Sequence, residues 1–354
     1  MNDPRQILLG AQAAAGLLPV CDHYSGVEVR MRKSLALQAE MIQEFGACVF
    51  DVTLDCEDGA RVGAEHDHAQ LVVALARAAC EAPGATSGAA RPRVAVRVHP
   101  VHHPVFGDEV RTIVAGAGRH LCHIMVPKVE SVADVDRAAA IIDAVDDSGR
   151  SSLMPVHVLL ESPAAVHRAF DIAAHPRVES ISFGLMDFVS AHGGAIPATA
   201  MSQAGQFAHP LVVRAKLEIA SACHAHGKVP SHCVVTEFRD EEVLARAARA
   251  AAQELGYTRM WSIHPAQIRT ILAAMAPPRR DIDQAAEIIV AAQQADWAPI
   301  EFAGQLHDRA SYRFFWQILE RAHQTGQTLP PEVRLYFDAP APPSVPPANR
   351  ETRQ

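Results

Sequence analysis

The chain has 354 residues, 49% of them apolar and 20% charged, with a formal net charge of -8. That supplies apolar material for one large core, and the acidic balance excludes a general nucleic-acid surface, which would be basic. No apolar run reaches membrane-span length, the amino terminus lacks the basic segment and apolar core of a signal peptide, and seven scattered cysteines without a Cys-x-x-Cys pair favour reduced thiols in the cytoplasm over disulfides or a zinc site.

In chain order, strands are predicted near 17–21, 48–55, 93–98, 121–127, 155–160, 179–184, 229–234 and 258–263. Most are short continuous apolar runs, as expected where both faces of a parallel sheet are buried. Ala-rich amphipathic stretches separate them, at 70–80, 132–145, 163–174, 210–226 and 240–255. Strand then helix, eight times over, predicts an α/β fold of the (β/α)₈ barrel type, with the active site at the carboxyl ends of the strands. A doubly wound sheet fits less well, because Gly116-Ala117-Gly118 ends a helix and lacks the third glycine of a phosphate turn. Residues 82–88 read as a loop. The barrel is assigned 1–275, and a break at Ala276-Pro277-Pro278 opens a helical extension, 276–338, with helices at 282–295 and 311–323. Those two helices are too few for a core of their own and are expected to pack on a barrel; the Pro-rich 339–354 is expected to be a disordered tail.

Chemistry gathers at the predicted strand ends. Glu161 and Asp187 close two successive runs, so their carboxylates would meet over one face of the sheet and could share a hard divalent cation. Other runs end in Asp55-Cys56-Glu57-Asp58, Arg97-Val98-His99, Pro127-Lys128 and Ile263-His264. His99, His232 and His264 stand at strand ends, whereas His66/His68, His102/His103 and His224/His226 read as solvated polar pairs, and Met260-Trp261 as core.

Seven segments in order then carry a resemblance: Leu54-Asp55-Cys56-Glu57-Asp58-Gly59, Val96-Arg97-Val98, Val126-Pro127-Lys128-Val129-Glu130-Ser131, Leu160-Glu161-Ser162-Pro163, Phe183-Gly184-Leu185-Met186-Asp187, Thr236-Glu237-Phe238-Arg239-Asp240 and Ile263-His264-Pro265-Ala266-Gln267-Ile268. Over residues 45–275 the chain resembles the HpcH/HpaI aldolase and citrate lyase β-subunit family, most closely its malyl-CoA lyase-like branch. The resemblance implies a Mg²⁺-dependent enzyme, with Mn²⁺ as an alternative, that cleaves or forms a C–C bond in a malyl-, citramalyl- or citryl-type substrate. It implies Glu161 and Asp187 as metal ligands, Arg97 as the substrate-binding arginine, Glu57 and Asp58 as an acidic pair beside it, and Lys33, Lys128 and His264 as further substrate contacts. Glu301-Phe302-Ala303-Gly304-Gln305-Leu306-His307-Asp308 resembles a stretch whose aspartate reaches a neighbouring subunit's site. That implies Asp308 as a proton donor or acceptor in a homotrimer or hexamer; the same residue also reads as a helix N-cap.

Departures from the family pattern leave alternatives open. The opening Arg-Ser-x-Leu-Phe-Val-Pro-Gly segment is replaced by Leu18 to Gly26, with Arg30, Arg32 and Lys33 beyond it; His99 stands where asparagine is common, and His232-Cys233 where many members have Asp-Gly. A CoA thioester and a free acid both remain as substrates. So do a CoA-independent 2-oxo acid aldolase or decarboxylase, against which Asp58 stands in place of that branch's histidine, and a silent binding protein on the same fold.

Overall fold

Eight short parallel strands follow one another round a ring in the computed structural model, which describes residues 3–10, 17–82, 90–149 and 152–338. They are β1 (Cys21–Ser25), β2 (Phe50–Asp55), β3 (Val94–Arg97), β4 (Leu121–Val126), β5 (Val156–Leu160), β6 (Val178–Phe183), β7 (Val229–His232) and β8 (Arg259–Ser262). β8 pairs back onto β1, Cys21 opposite Met260, so the barrel closes. The expected (β/α)₈ fold is the one observed. Of the segments read as loop and tail, residues 83–88 and 339–354 lie outside the described residues.

Strands form where the sequence supplies β-branched and aliphatic runs with both faces buried, as in Val94-Ala95-Val96-Arg97 and Val156 to Leu160, whose residues are all buried. Helices lie between them with one apolar side turned to the barrel. The helix Val132–Asp143, for instance, buries Val135, Ala138, Ala139 and Ile142 and opens on a capping box between Ser131 and Asp134.

Two local readings shift, and one helix is added. The first strand is Cys21–Ser25 rather than 17–21; the apolar run Leu17 to Val20 only leads into it, because this strand's own side chains include the polar Asp22, His23 and Ser25, all buried. The helix read at 163–174 is broken at Arg168 into Pro163–His167 and Ala169–Ala174. A helix at Glu28–Phe45 joins β1 to β2.

Inside the barrel, side chains two apart on a strand share the inward face and build layers. At the amino end, Asp22, Asp51, His123, His157 and Arg259 form a fully buried polar floor. Above it Tyr24, Met125, Leu159 and Trp261 pack together, with Trp261 Nε1 donating to Ser182 Oγ at 2.8 Å. At the carboxyl end, Asp55, Arg97 and Glu161 begin the rim.

The chain divides into two compact units, residues 18–276 and residues 1–17 with 277–354. The first is the barrel. The second comprises the helices Pro4–Leu9, Arg279–Gln294, Arg309–Gln324 and Pro331–Asp338 with an antiparallel hairpin, β9 (Ile300–Phe302) and β10 (Gln305–His307). Two expectations change here. The segment at the amino terminus, assigned above to the barrel, packs in this unit: Leu8 is buried among Ile282, Ile289, Tyr312 and Trp316, and its carbonyl accepts from Arg313 Nε at 3.2 Å. With that segment and the Pro331–Asp338 helix added, the extension has a core of its own, Leu319 and Val333 included. Among the described residues, no helix is long and apolar enough to cross a membrane, and all seven cysteines are unpaired thiols.

Candidate active site

Arg97, the last residue of β3, organises the rim. Its Nε donates to Asp55 Oδ1 at 2.7 Å and its Nη2 to Asp55 Oδ2 at 2.7 Å, a two-pronged pair with the last residue of β2. Nη1 lies 2.9 Å from Glu57 Oε2 and Nη2 2.6 Å from Asp58 Oδ2. The guanidinium carbon stands 5.3 Å above the Tyr24 ring. Surrounded by three carboxylates, the guanidinium stays protonated even though burial works against its charge. Asp58 is the loose member of this set, with a side chain 77% exposed against 6% for Asp55.

The turn that delivers Glu57 and Asp58 is fixed by backbone. Asp55 Oδ1 also accepts from Glu57 N at 3.0 Å, and His68 Nε2 lies 3.0 Å from the Asp55 carbonyl. Gly59 passes so close to the β1 loop that a Cβ there would overlap the carbonyl oxygens of both Asp55 and Gly26. Only glycine fits.

Lys128, just past β4, completes the group: its Nζ donates to Glu57 Oε1 at 2.7 Å. It does so from a left-handed backbone, φ 52°, an uncommon conformation for a non-glycine residue and one that clusters at functional sites. That pair keeps Lys128 charged against partial burial, while burial pushes Glu57 upward despite its two cationic partners.

Glu161 follows β5 and is 5% exposed, yet its Oε2 has no hydrogen-bond partner among the described residues. Burial, then the charges of Glu57 and Asp187, push its carboxyl up to about 8, with Lys128 and Arg97 opposing. Asp187, on the short helix Leu185–Ser190 after β6, is exposed. Gly184 precedes that helix, and a Cβ there would overlap Glu161 Cγ, so glycine makes the room Glu161 occupies.

The structure therefore brings together Glu57, Asp58, Arg97, Lys128, Glu161 and Asp187. Within the barrel it does not draw in two others. Lys33 points from the exposed side of the helix Glu28–Phe45. His264 is exposed beyond β8, its Nδ1 accepting from Ala266 N at 3.2 Å and its ring stacked on Phe238 at 4.8 Å. Asp308 lies in the second unit as the N-cap of the helix Arg309–Gln324, accepting from Ala310 N at 2.9 Å and Ser311 N at 3.3 Å. His99 is held by Glu109, ring nitrogen to carboxylate at 2.8 Å, and His232 is buried in an aromatic packing with Phe207 and Tyr257.

Two residues that touch Arg97 are given no role in the sequence reading. Asp55 is overshadowed there by Glu57 and Asp58, although its place as the final residue of β2, opposite Arg97 in register, is an available signal. Tyr24 lies in the Leu18 to Gly26 segment, where the family pattern breaks.

Comparison with known proteins fits this geometry. The sequence profile of the HpcH/HpaI aldolase/citrate lyase family matches residues 34–265. An L-malyl-CoA/β-methylmalyl-CoA lyase of Cereibacter sphaeroides (strain ATCC 17025 / ATH 2.4.3) is 30% identical over 235 residues, 62% of this chain and 73% of that protein. A crystal structure of a citrate lyase from Burkholderia xenovorans LB400 is 51% identical, covers 92% of this chain and 98% of that one, and superposes with a TM-score of 0.74. The protein CitE of Mycobacterium tuberculosis, solved with magnesium, acetoacetate and coenzyme A, shares the fold at 21% identity and a TM-score of 0.61, over 87% of this chain and 98% of that one. With most of the barrel matched and the motif residues gathered on one barrel rim, the chain belongs to the HpcH/HpaI aldolase/citrate lyase family and is an enzyme of the carbon–carbon lyase class.

Proposed function

We propose that this chain is a Mg²⁺-dependent lyase that cleaves, or in reverse forms, the C–C bond of a 3-hydroxyacyl substrate of malyl, citramalyl or citryl type, carried as a CoA thioester. The observation that carries this reading is the buried oxygen of Glu161 that has no hydrogen-bond partner among the described residues, pressed by the negative charges of Glu57 and Asp187 and set beside the Arg97 fork. A buried carboxylate among like charges fits a cation, and an all-oxygen donor set suits a hard divalent one that keeps several waters. Glu161 and Asp187 would hold Mg²⁺ there, and the ion would supply Lewis-acid polarisation of the 2-oxo acid carbonyl. Support also comes from the lyase and coenzyme A chemistry named for the relatives.

The residues divide the work. Glu57, whose carboxylate spans Arg97 and Lys128, takes the proton of the substrate hydroxyl as the C–C bond breaks. The bonding electrons pass to the thioester side as an enolate, and Arg97 neutralises the developing oxyanion. Exposed Asp58 is the partner that substrate displaces from Arg97, because the buried Asp55 and Glu57 still hold the fork. Asp308, supplied by a neighbouring subunit, returns a proton to the enolate carbon.

Incubating the protein with malyl-, citramalyl- and citryl-CoA and with the matching free acids, with and without Mg²⁺, tests the proposal. Release of a 2-oxo acid together with an acyl-CoA, only when Mg²⁺ is present, is expected. Equal cleavage of the free acids would shift the assignment to the CoA-independent aldolase.

A further inference from the structure

The catalytic end of the barrel carries an exposed aromatic stack that the rim chemistry does not use. Phe238, in the loop after β7, is 41% exposed. A single exposed phenylalanine is ordinary, but this one belongs to an ordered group. The exposed imidazole of His264, beyond β8, stacks on it with centroids 4.8 Å apart and ring planes 25° from parallel. The guanidinium carbon of Arg239, also exposed, stands 5.4 Å from the same ring centroid.

The scaffold beneath the stack is fixed. Gln267, 1% exposed, accepts through Oε1 from Ile263 N at 2.9 Å and from His264 N at 3.2 Å, and donates through Nε2 to the Val235 carbonyl at 2.8 Å. One buried amide therefore ties the β7 loop to the β8 loop. His264 Nδ1 accepts from Ala266 N at 3.2 Å, which sets the imidazole against the phenyl ring. A platform held in this way loses little freedom when a planar ligand settles on it.

Its surroundings say what else the ligand carries. Ser262 Oγ lies 2.9 Å from the His264 carbonyl oxygen and 3.0 Å from His23 Nδ1; His23 Nε2 lies 2.9 Å from Ser34 Oγ, which donates to the Arg30 carbonyl at 2.9 Å. This buried chain crosses the closure of the barrel from β8 to β1 and enters the opening turns of the helix Glu28–Phe45. There Arg32 is paired with Glu28, whereas exposed Arg30 and Lys33 make no ion pair among the described residues. An open aromatic platform beside uncompensated cations suits a ligand that joins a flat heteroaromatic ring to phosphates.

We infer that Phe238 and His264 stack the adenine ring of the CoA thioester, with Arg239 lifting from the phenyl ring to close over the base. The inference rests on the CoA-thioester reading above. Coenzyme A holds its adenine and phosphates at one end and its sulfur at the other, with the pantetheine arm between them. With the thioester at Arg97, the ring has to land on the outer lip of the barrel, where this platform lies, and not in the lumen. Phe238 is then a specificity residue that reads the carrier and touches none of the reacting atoms.

The test compares kcat/KM, with Mg²⁺, for a cleaved CoA thioester and for the same acyl group on pantetheine, which lacks the nucleotide. In Phe238→Ala the preference for the CoA thioester should fall about tenfold, through KM and not kcat, and Phe238→Trp should keep it. ADP, which carries the ring and diphosphate without the arm, should bind the wild type in calorimetry, compete with the CoA thioester, and bind Phe238→Ala about tenfold more weakly. If both thioesters are cleaved and Phe238→Ala changes neither the preference nor the ADP affinity, the stack is a surface contact; the inference falls and the CoA-thioester reading stands. A change seen only in sedimentation would make Phe238 a subunit contact and overturn the inference as well. If the wild type cleaves no CoA thioester at all, the reading itself fails and takes the inference with it.

Discussion

A carboxyl group held at about 8 costs stability whenever solution pH forces its ionisation, and Glu161 is such a group. Its value when unfolded is the ordinary 4.5. Below that both states are protonated, and nothing is lost. Between 4.5 and about 8 the folded state binds the extra proton, so stability falls as pH rises, and above about 8 the full penalty is present. In metal-free protein, Glu161→Gln should therefore raise the melting temperature at about pH 9 and leave it nearly unchanged at about pH 4.5, the gain at the upper end being on the order of a few kcal/mol. A difference that stays constant with pH would show that Glu161 is not desolvated. With Mg²⁺ added the order should invert, since the wild type gains a ligand-linked stabilisation that the glutamine variant does not. Arg97 gives a second test. Lysine offers a point charge where the rim needs a fork held by Asp55, so Arg97→Lys should cost about 2–4 kcal/mol in kcat/KM. Mg²⁺ affinity measured by calorimetry should hardly move; a large loss of metal binding would mean that Arg97 acts on the fold and not on substrate.

At the scale of elements, two glycines hold the rim to its shape. Gly184→Ala would drive a methyl onto Glu161 Cγ, and the far side chain can swing aside. The barrel should stay folded while Mg²⁺ affinity and activity drop together. Gly59→Ala would instead meet two carbonyl oxygens, which cannot move without opening the β1 and β2 loops, and should destabilise by about 2–4 kcal/mol in denaturant unfolding. Finding Gly184→Ala less stable than Gly59→Ala would reverse this assignment. The same elements show what was readable in advance. The runs Leu121 to Val126 and Val156 to Leu160 announce strands because burial on both faces demands apolarity, broken in each by one histidine. The acids that follow such runs could then be read as a rim, since parallel strands present their carboxyl ends together. β1 resisted because its Asp22, His23 and Ser25 look like a turn; their partners Thr53, Ser34 and Ser262 lie up to 239 residues away. The floor resisted for the same reason, as Arg259 meets Asp51 from 208 residues on. Local pattern carries no trace of such pairs.

For the whole molecule, the question is what the second unit contributes. With Leu8, Tyr312, Trp316 and Val333 in a core of its own, it does not need a barrel to supply one, so the case for assembly rests on Asp308. Asp308 has a structural duty already, capping the helix Arg309–Gln324 through Ala310 N and Ser311 N. The two duties separate by substitution. Asparagine caps a helix about as well as aspartate but cannot exchange a proton at carbon, so Asp308→Asn should keep the melting temperature while losing activity, whereas Asp308→Ala loses activity and about 1 kcal/mol as well. If the acid acts in a neighbouring subunit's site, Asp308→Asn and Arg97→Ala, each inactive alone, should complement when mixed under exchange conditions, because some interfaces then join an intact rim to an intact Asp308. Sedimentation should show a homotrimer or hexamer. Full activity in Asp308→Asn would leave the residue with its cap alone, and exchange that restores nothing would place the proton transfer within one chain.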